Sequence, residues 1–165
     1  PINEGSSIGV YFVNPREDPP LCMPTEMPKT VMVEEYIAGR ELTVTVMGKK
    51  ALAVTNIITQ EWYDYDAKYK NGGSFHEVPA KIPREIQDTC LEYALSAQQV
   101  IGCRGISRAD FRWNEKLGVD GLILLEINTQ PGMTPTSLVP EQAEICGVKF
   151  GELCKWLVED ASCDR

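Results

Sequence analysis

The chain has 165 residues, a net charge of -8, 43% hydrophobic and 24% charged residues. This suits one well-packed soluble domain with at most part of a second. The acidic balance argues against nucleic acid or a membrane surface as the main partner, while leaving room for a local basic pocket for a nucleotide. No run reaches the length of a membrane span and no signal-peptide pattern opens the chain. It starts at Pro1 without an initiator Met, and is expected to be part of a longer chain.

Residues 2–10 read as a Gly/Ser turn entering a strand, and residues 11–30, with Pro15, Pro19, Pro20, Pro24 and Pro28, as a loop. Val31–Ile37 is predicted as a strand. Glu41–Met47 and Ala51–Ile58, rich in Val, Leu, Ile and Thr, are predicted to form an antiparallel hairpin about Gly48-Lys49-Lys50. Residues 60–80 are polar and aromatic, a loop of a length usually associated with function. Pro83 opens a helix whose apolar positions Ile86, Cys90, Ala94, Ala97 and Ile101 follow helical spacing, with Gly102 as its C-terminal cap. Ile106–Trp113 and Gly121–Asn128 are strands joined by a short polar connection, and Glu141–Cys146 and Phe150–Glu159 are helices. The elements do not alternate strictly, so the fold class is α+β, a largely antiparallel sheet flanked by helices. The six cysteines include no CxxC spacing, which disfavours zinc; reduced thiols of a cytosolic protein are the better reading than a disulfide framework.

The chemistry concentrates in Leu124–Thr134. Strand side chains alternate faces, so Glu126 and Asn128 share one face at the end of an apolar strand, before the turn containing Gly132. Two oxygen donors so placed suit a hard cation such as Mg²⁺. A simple antiparallel pairing of the second hairpin sets Asp110 opposite residues 124–126, with cross-strand Cβ atoms about 5 Å apart. Two carboxylates that close repel unless a cation lies between them. A bound metal meets that need, and so does Arg108 in an ordinary ion-pair cluster. Gly5-Ser6-Ser7-Ile8-Gly9 can wrap a phosphate. The end of the Val33–Glu41 segment can offer backbone groups to an adenine edge and Glu41 to ribose hydroxyls, although such charge clusters are often a solvated edge. Trp62–Tyr69 reads either as a mobile lid or as aromatic packing, and His76 as non-catalytic.

These motifs resemble those of the D-alanine–D-alanine ligases, ATP-grasp enzymes of cell-wall synthesis, in their C-terminal part. The matching segments are Pro1–Val10, Val33–Glu41, Tyr63–Tyr69 within YDYDAKY, Gly102–Asp110 with its GxSRxD strand, and Leu125–Pro140 with LEINTxPGMT. The resemblance implies an ATP-grasp C-terminal domain over residues 37–165, a remnant of the central lid domain over residues 1–36, and an absent N-terminal substrate domain. It implies adenine and hinge contacts from Glu34, Tyr36 and Ile37 with Trp62 packed nearby, ribose binding by Glu41, and phosphate contact by Lys68. Asp110, Glu126 and Asn128 would hold two Mg²⁺ ions, or Mn²⁺ in their place. Ser6 and Tyr69 would position the first D-alanine, Arg108 and the Gly132 N–H would stabilise the oxyanion, and Ser137 and Leu138 would receive the second D-alanine's carboxylate.

The implied reaction joins two D-alanines through an acyl phosphate made from ATP, in a cytoplasmic, homodimeric enzyme of full length acting on small molecules. Two alternatives remain: a D-lactate or D-serine ligase on the same fold, against which Tyr69 argues, and a non-catalytic nucleotide-binding module, against which the set Arg108, Asp110, Glu126 and Asn128 argues. The pattern departs from the family in lacking the N-terminal domain and a phosphate-binding lysine just before Pro1, and in its proline-rich residues 11–30. The 165 residues alone are therefore expected to be inactive.

Overall fold

A computed structural model describes residues 1–3, 9–13, 28, 30–59 and 74–163. The chain separates into two compact units, one of residues 1–36 and 59–74, the other of residues 37–58 and 75–165. The described residues of the first unit are largely irregular, with Phe12 and Tyr36 meeting edge to face at 5.2 Å. Val31–Ile37 is not a strand. It has the β-branched composition of one, but among the described residues no strand pairs with it, and Val33 stands 85% exposed. A strand exists only where its backbone groups find a ladder.

The second unit is built on a five-stranded antiparallel sheet. Strand β1 (Arg40–Met47) and β2 (Lys50–Thr59) form the expected hairpin, with Met47 opposite Lys50 and a positive φ at Gly48, as a two-residue turn requires. Within the stretch expected to be loop, residues 74–77 form a short strand, β3 (Ser74–Glu77). Helix α1 (Arg84–Ile101) starts one residue after Pro83, which serves as its N-cap, and ends at Gly102 in the left-handed conformation. Strand β4 (Ile106–Trp113), a 3-10 helix (Glu115–Gly121) and β5 (Leu122–Asn128) follow. Helix α2 (Leu138–Ile145) begins three residues earlier than expected, since Pro140 lies in the first turn, where its missing N–H has no helical partner to lose. Helix α3 (Phe150–Asp160) completes the unit.

The strand order is β3-β2-β1-β4-β5, so the two hairpins join through a β1–β4 pairing that no local pattern announces. One face of β1 supplies Leu42, Val44 and Val46 to a core shared with Ile86, Cys90 and Ala94 of α1 and with Phe111 and Trp113 of β4. A second cluster gathers Val139, Ala143 and Leu153 of the last two helices with Ile106. Thr43 and Thr45 alternate with the core residues of β1 and so belong to the opposite face. The β1–β2 register slips between Val44 and Val46. There the buried Gln142 side chain accepts from the Thr45 N–H at 2.8 Å and donates to the Thr43 carbonyl at 3.3 Å. At the start of β1, Gly39 has φ +122°, and a Cβ on it would stand 2.1 Å from the Trp113 carbonyl oxygen, so the approach to the sheet admits only glycine.

Candidate active site

The sheet lays the chemistry-bearing residues out in cross-strand rows. Thr55 of β2, Thr43 of β1, Asp110 of β4 and Glu126 of β5 are successive register partners. The next row holds Thr45, Arg108 and Asn128. The sequence placed Asp110 opposite residues 124–126, and the observed partner is Glu126. A register shift between Asp110 and Phe111 brings this about, because Phe111 pairs with Leu124 and Leu125 is the extra residue.

Arg108 grips Asp110 with two bonds, Nε to Oδ1 at 2.8 Å and Nη2 to Oδ2 at 2.7 Å. Both side chains are mostly withdrawn from solvent, at 18% and 15% exposure, where a bidentate charged pair is both strong and directional. Thr43 Oγ1 lies 2.5 Å from Asp110 Oδ1 and 3.2 Å from the Ala109 carbonyl. Glu126 is exposed across from this group. Asn128 accepts from the Gln130 N–H at 3.0 Å, which shapes the turn leading to Gly132. The ion-pair cluster foreseen as one way of neutralising the carboxylates is thus present at Asp110.

Other expected residues sit in distinct places. Glu41 faces Arg112 at 3.5 Å, and Arg112 Nε also donates to the Ile37 carbonyl at 3.0 Å. Glu34 and Tyr36 are exposed. A Cβ on Gly132 would come within 2.9 Å of Ser137 Oγ, so the turn closes tightly onto the start of α2. Ser137 is the N-cap of α2, yet its hydroxyl turns to Thr134, accepting from the N–H at 3.0 Å and meeting Thr134 Oγ1 at 2.8 Å. Leu138 is 6% exposed, which leaves its backbone as the part able to meet a ligand. His76 Nδ1 lies 2.8 Å from Glu141 Oε2. Ser6, Trp62, Lys68 and Tyr69 lie outside the described residues.

Sequence reasoning missed Thr43, Arg112, Gln142 and Arg40. Arg40 bonds to Asn56, Glu77 and the Lys81 carbonyl and lies over the Trp113 ring at 5.8 Å. All four act through contacts distant in sequence. The period-two pattern of Glu41–Met47 did mark Thr43 as sharing a face with Glu41, but only the β1–β4 pairing reveals what that face meets.

The donor set is chemically suited to a hard divalent cation. Asp110 and Glu126 are cross-strand partners, and Asn128 follows two residues on, all offering oxygen. Among the described residues no cluster of three His, Cys, Asp or Glu occurs. One or two carboxylates is nevertheless the usual protein share of a Mg²⁺ site completed by water and phosphate oxygens.

A five-stranded antiparallel sheet with helices packed on it is the fold of an ATP-grasp C-terminal domain. The D-ala D-ala ligase C-terminus family model matches residues 1–159. The D-alanine–D-alanine ligase of Ruegeria sp. (strain TM1040) is 65% identical over the whole chain, which covers 54% of that protein. The corresponding ligase of Cereibacter sphaeroides (strain ATCC 17025) is 63% identical with the same coverage. Among solved structures, the Bacillus anthracis ligase complexed with ATP superposes on 77% of this chain, with a TM-score of 0.63 and 29% identity, over 41% of its own length. The chain therefore belongs to the D-alanine–D-alanine ligase family, matching its C-terminal part. It spans about half the length of the curated relatives it matches.

Proposed function

We propose that this chain supplies the catalytic C-terminal half of an ATP-dependent ligase that joins two D-alanines for peptidoglycan precursor synthesis. The observation that carries the reading is the pair of adjacent rows, Asp110 facing Glu126 and Arg108 facing Asn128, in a member of this family. Residues 37–165 are read as the catalytic domain and residues 1–36 as part of the central lid domain. The full-length enzyme is read as cytoplasmic and homodimeric. Among the described residues no helix is long and apolar enough to cross a membrane.

In this reading the first D-alanine carboxylate attacks the γ-phosphate of ATP to give an acyl phosphate and ADP. The amine of the second D-alanine then attacks the acyl carbon and releases phosphate. Asp110, Glu126 and Asn128 would hold two Mg²⁺ ions, which would neutralise phosphate charge. Arg108 and the Gly132 N–H face the oxygen that gains charge as the amine adds, and a preorganised donor of this kind is worth roughly 10²–10³ in rate. Glu41 binds the ribose; Glu34, Tyr36 and Ile37 line the adenine site, with Trp62 nearby. Lys68 meets the phosphates, and Ser6 and Tyr69 position the first D-alanine. The backbone at Ser137 and Leu138 opens a helix whose N-terminal dipole favours the second substrate's carboxylate.

Phosphate release from ATP, measured with D-alanine, D-lactate and D-serine as acceptors, tests the reading at the full length of the relatives. D-alanine is expected to be the preferred acceptor, and the 165 residues alone are expected to show no turnover. Preference for another acceptor would reassign the substrate. Mg-ATP binding with no turnover at full length would favour a nucleotide-binding module.

A further inference from the structure

Three buried threonines line the sheet face beside the acidic row, and they are not equivalent. Thr43, Thr45 and Thr55 are all fully buried. Among the described residues the hydroxyls of Thr45 and Thr55 have no hydrogen-bond partner. The Thr43 hydroxyl instead reaches Asp110 Oδ1 at 2.5 Å, closer than the Ala109 carbonyl at 3.2 Å. A hydroxyl has one hydrogen to donate, and a charged acceptor forms the stronger bond. Ordinary β-packing explains a buried threonine at all three positions, but not the aim of this hydroxyl at a carboxylate.

We propose that Thr43 is a positioning residue for Asp110 as a metal ligand; this rests on the functional reading above. Arg108 at present occupies both oxygens of Asp110. A cation approaching that carboxylate is repelled by the guanidinium, and a bidentate hold on it requires the site that Arg108 takes on Oδ1. When Arg108 yields that site, Thr43 remains the neutral donor that fixes the carboxylate's rotation, from a backbone held opposite Asp110 by the β1–β4 ladder. A neutral donor holds the carboxylate without repelling the incoming ion. Hydrogen-bonding partners behind metal ligands of this kind typically control affinity by roughly 10–100-fold.

The test is Mn²⁺ affinity, read by electron paramagnetic resonance with a non-hydrolysable ATP analogue, on protein at the full length of the relatives. Thr43→Val keeps the shape and removes the donor, Thr43→Ser keeps the donor, and Asp110→Asn reports on the ligand itself. Thermal melts establish folding, and Thr43→Ala is a second donor-free variant if the valine protein does not fold. The expected result is weaker Mn²⁺ binding by about 10-fold or more in the donor-free variant, with Thr43→Ser close to wild type and Asp110→Asn weakened at least as much. Wild-type affinity in the donor-free variant with weakened Asp110→Asn would overturn the role of Thr43 alone. A loss in Thr43→Ser as large as that in the donor-free variant would overturn it, because the retained hydroxyl would then not have held the affinity. Undiminished affinity in Asp110→Asn would overturn the metal assignment beneath it.

Discussion

Arg108 and Asp110 lie two residues apart on one strand face, and their bidentate pairing sets the starting point for both. Their adjacency was legible from the alternation in Ile106–Trp113, but the sequence could not say whether the arginine would engage its neighbour or a ligand. The cysteines are legible in the same partial way. Cys90 falls at an apolar helical position and is fully buried, and the burial pushes its thiol up to about 12 from the usual thiol range. Because the folded value is raised, this group favours the folded state below about pH 9, and that contribution is lost as pH rises from about 9 towards 12. Cys163, by contrast, is exposed. Alkylation at pH 8 followed by peptide mass spectrometry should modify Cys163 and spare Cys90 until denaturant is added. Equal labelling of the two in the native protein would contradict the burial of Cys90.

At the scale of elements, the first hairpin, the long helix and the last helix were readable from local signals, a two-residue turn, a 3.6-residue apolar period and a glycine cap among them, and the second hairpin from two apolar runs around a short polar connection. Val31–Ile37 carried the composition of a strand without a partner for its backbone, and propensity alone does not make a ladder. Strand β3 was hidden by its four-residue length. The β1–β4 pairing was hidden because it joins residues 59 to 73 apart, and with it went Thr43; Gln142 was hidden because it reaches β1 from α2, almost a hundred residues on. Gln142 is fully buried and satisfies two backbone groups of β1 at the register slip. Replacing it with leucine keeps much of the volume but orphans the Thr45 N–H and Thr43 carbonyl. Gln142→Leu should therefore lower the unfolding free energy by about 1–3 kcal/mol, read by urea denaturation at unchanged m-value. Stability equal to wild type would mean that other groups satisfy that backbone.

At the scale of the whole molecule, two hairpins brought together by one non-local pairing convert a scattered set of motifs into one face. Thr43, Asp110 and Glu126 form one row, and Thr45, Arg108 and Asn128 the next. The sequence supplied the residue types and, within the second hairpin, the opposition of Asp110 to residues 124–126; the register shift singles out Glu126. The fold adds the strand behind them. The proposed function requires this face to perform the ligation. The most direct measurement is D-alanyl-D-alanine formed per ADP released, by mass spectrometry, for wild type and Glu126→Gln at the full length of the relatives. The proposed function predicts one dipeptide per ADP in the wild type. It predicts a fall of at least about 100-fold in kcat for Glu126→Gln, the scale of losing several kcal/mol of transition-state charge stabilisation. Dipeptide formation at the wild-type rate by the Glu126→Gln protein would contradict it.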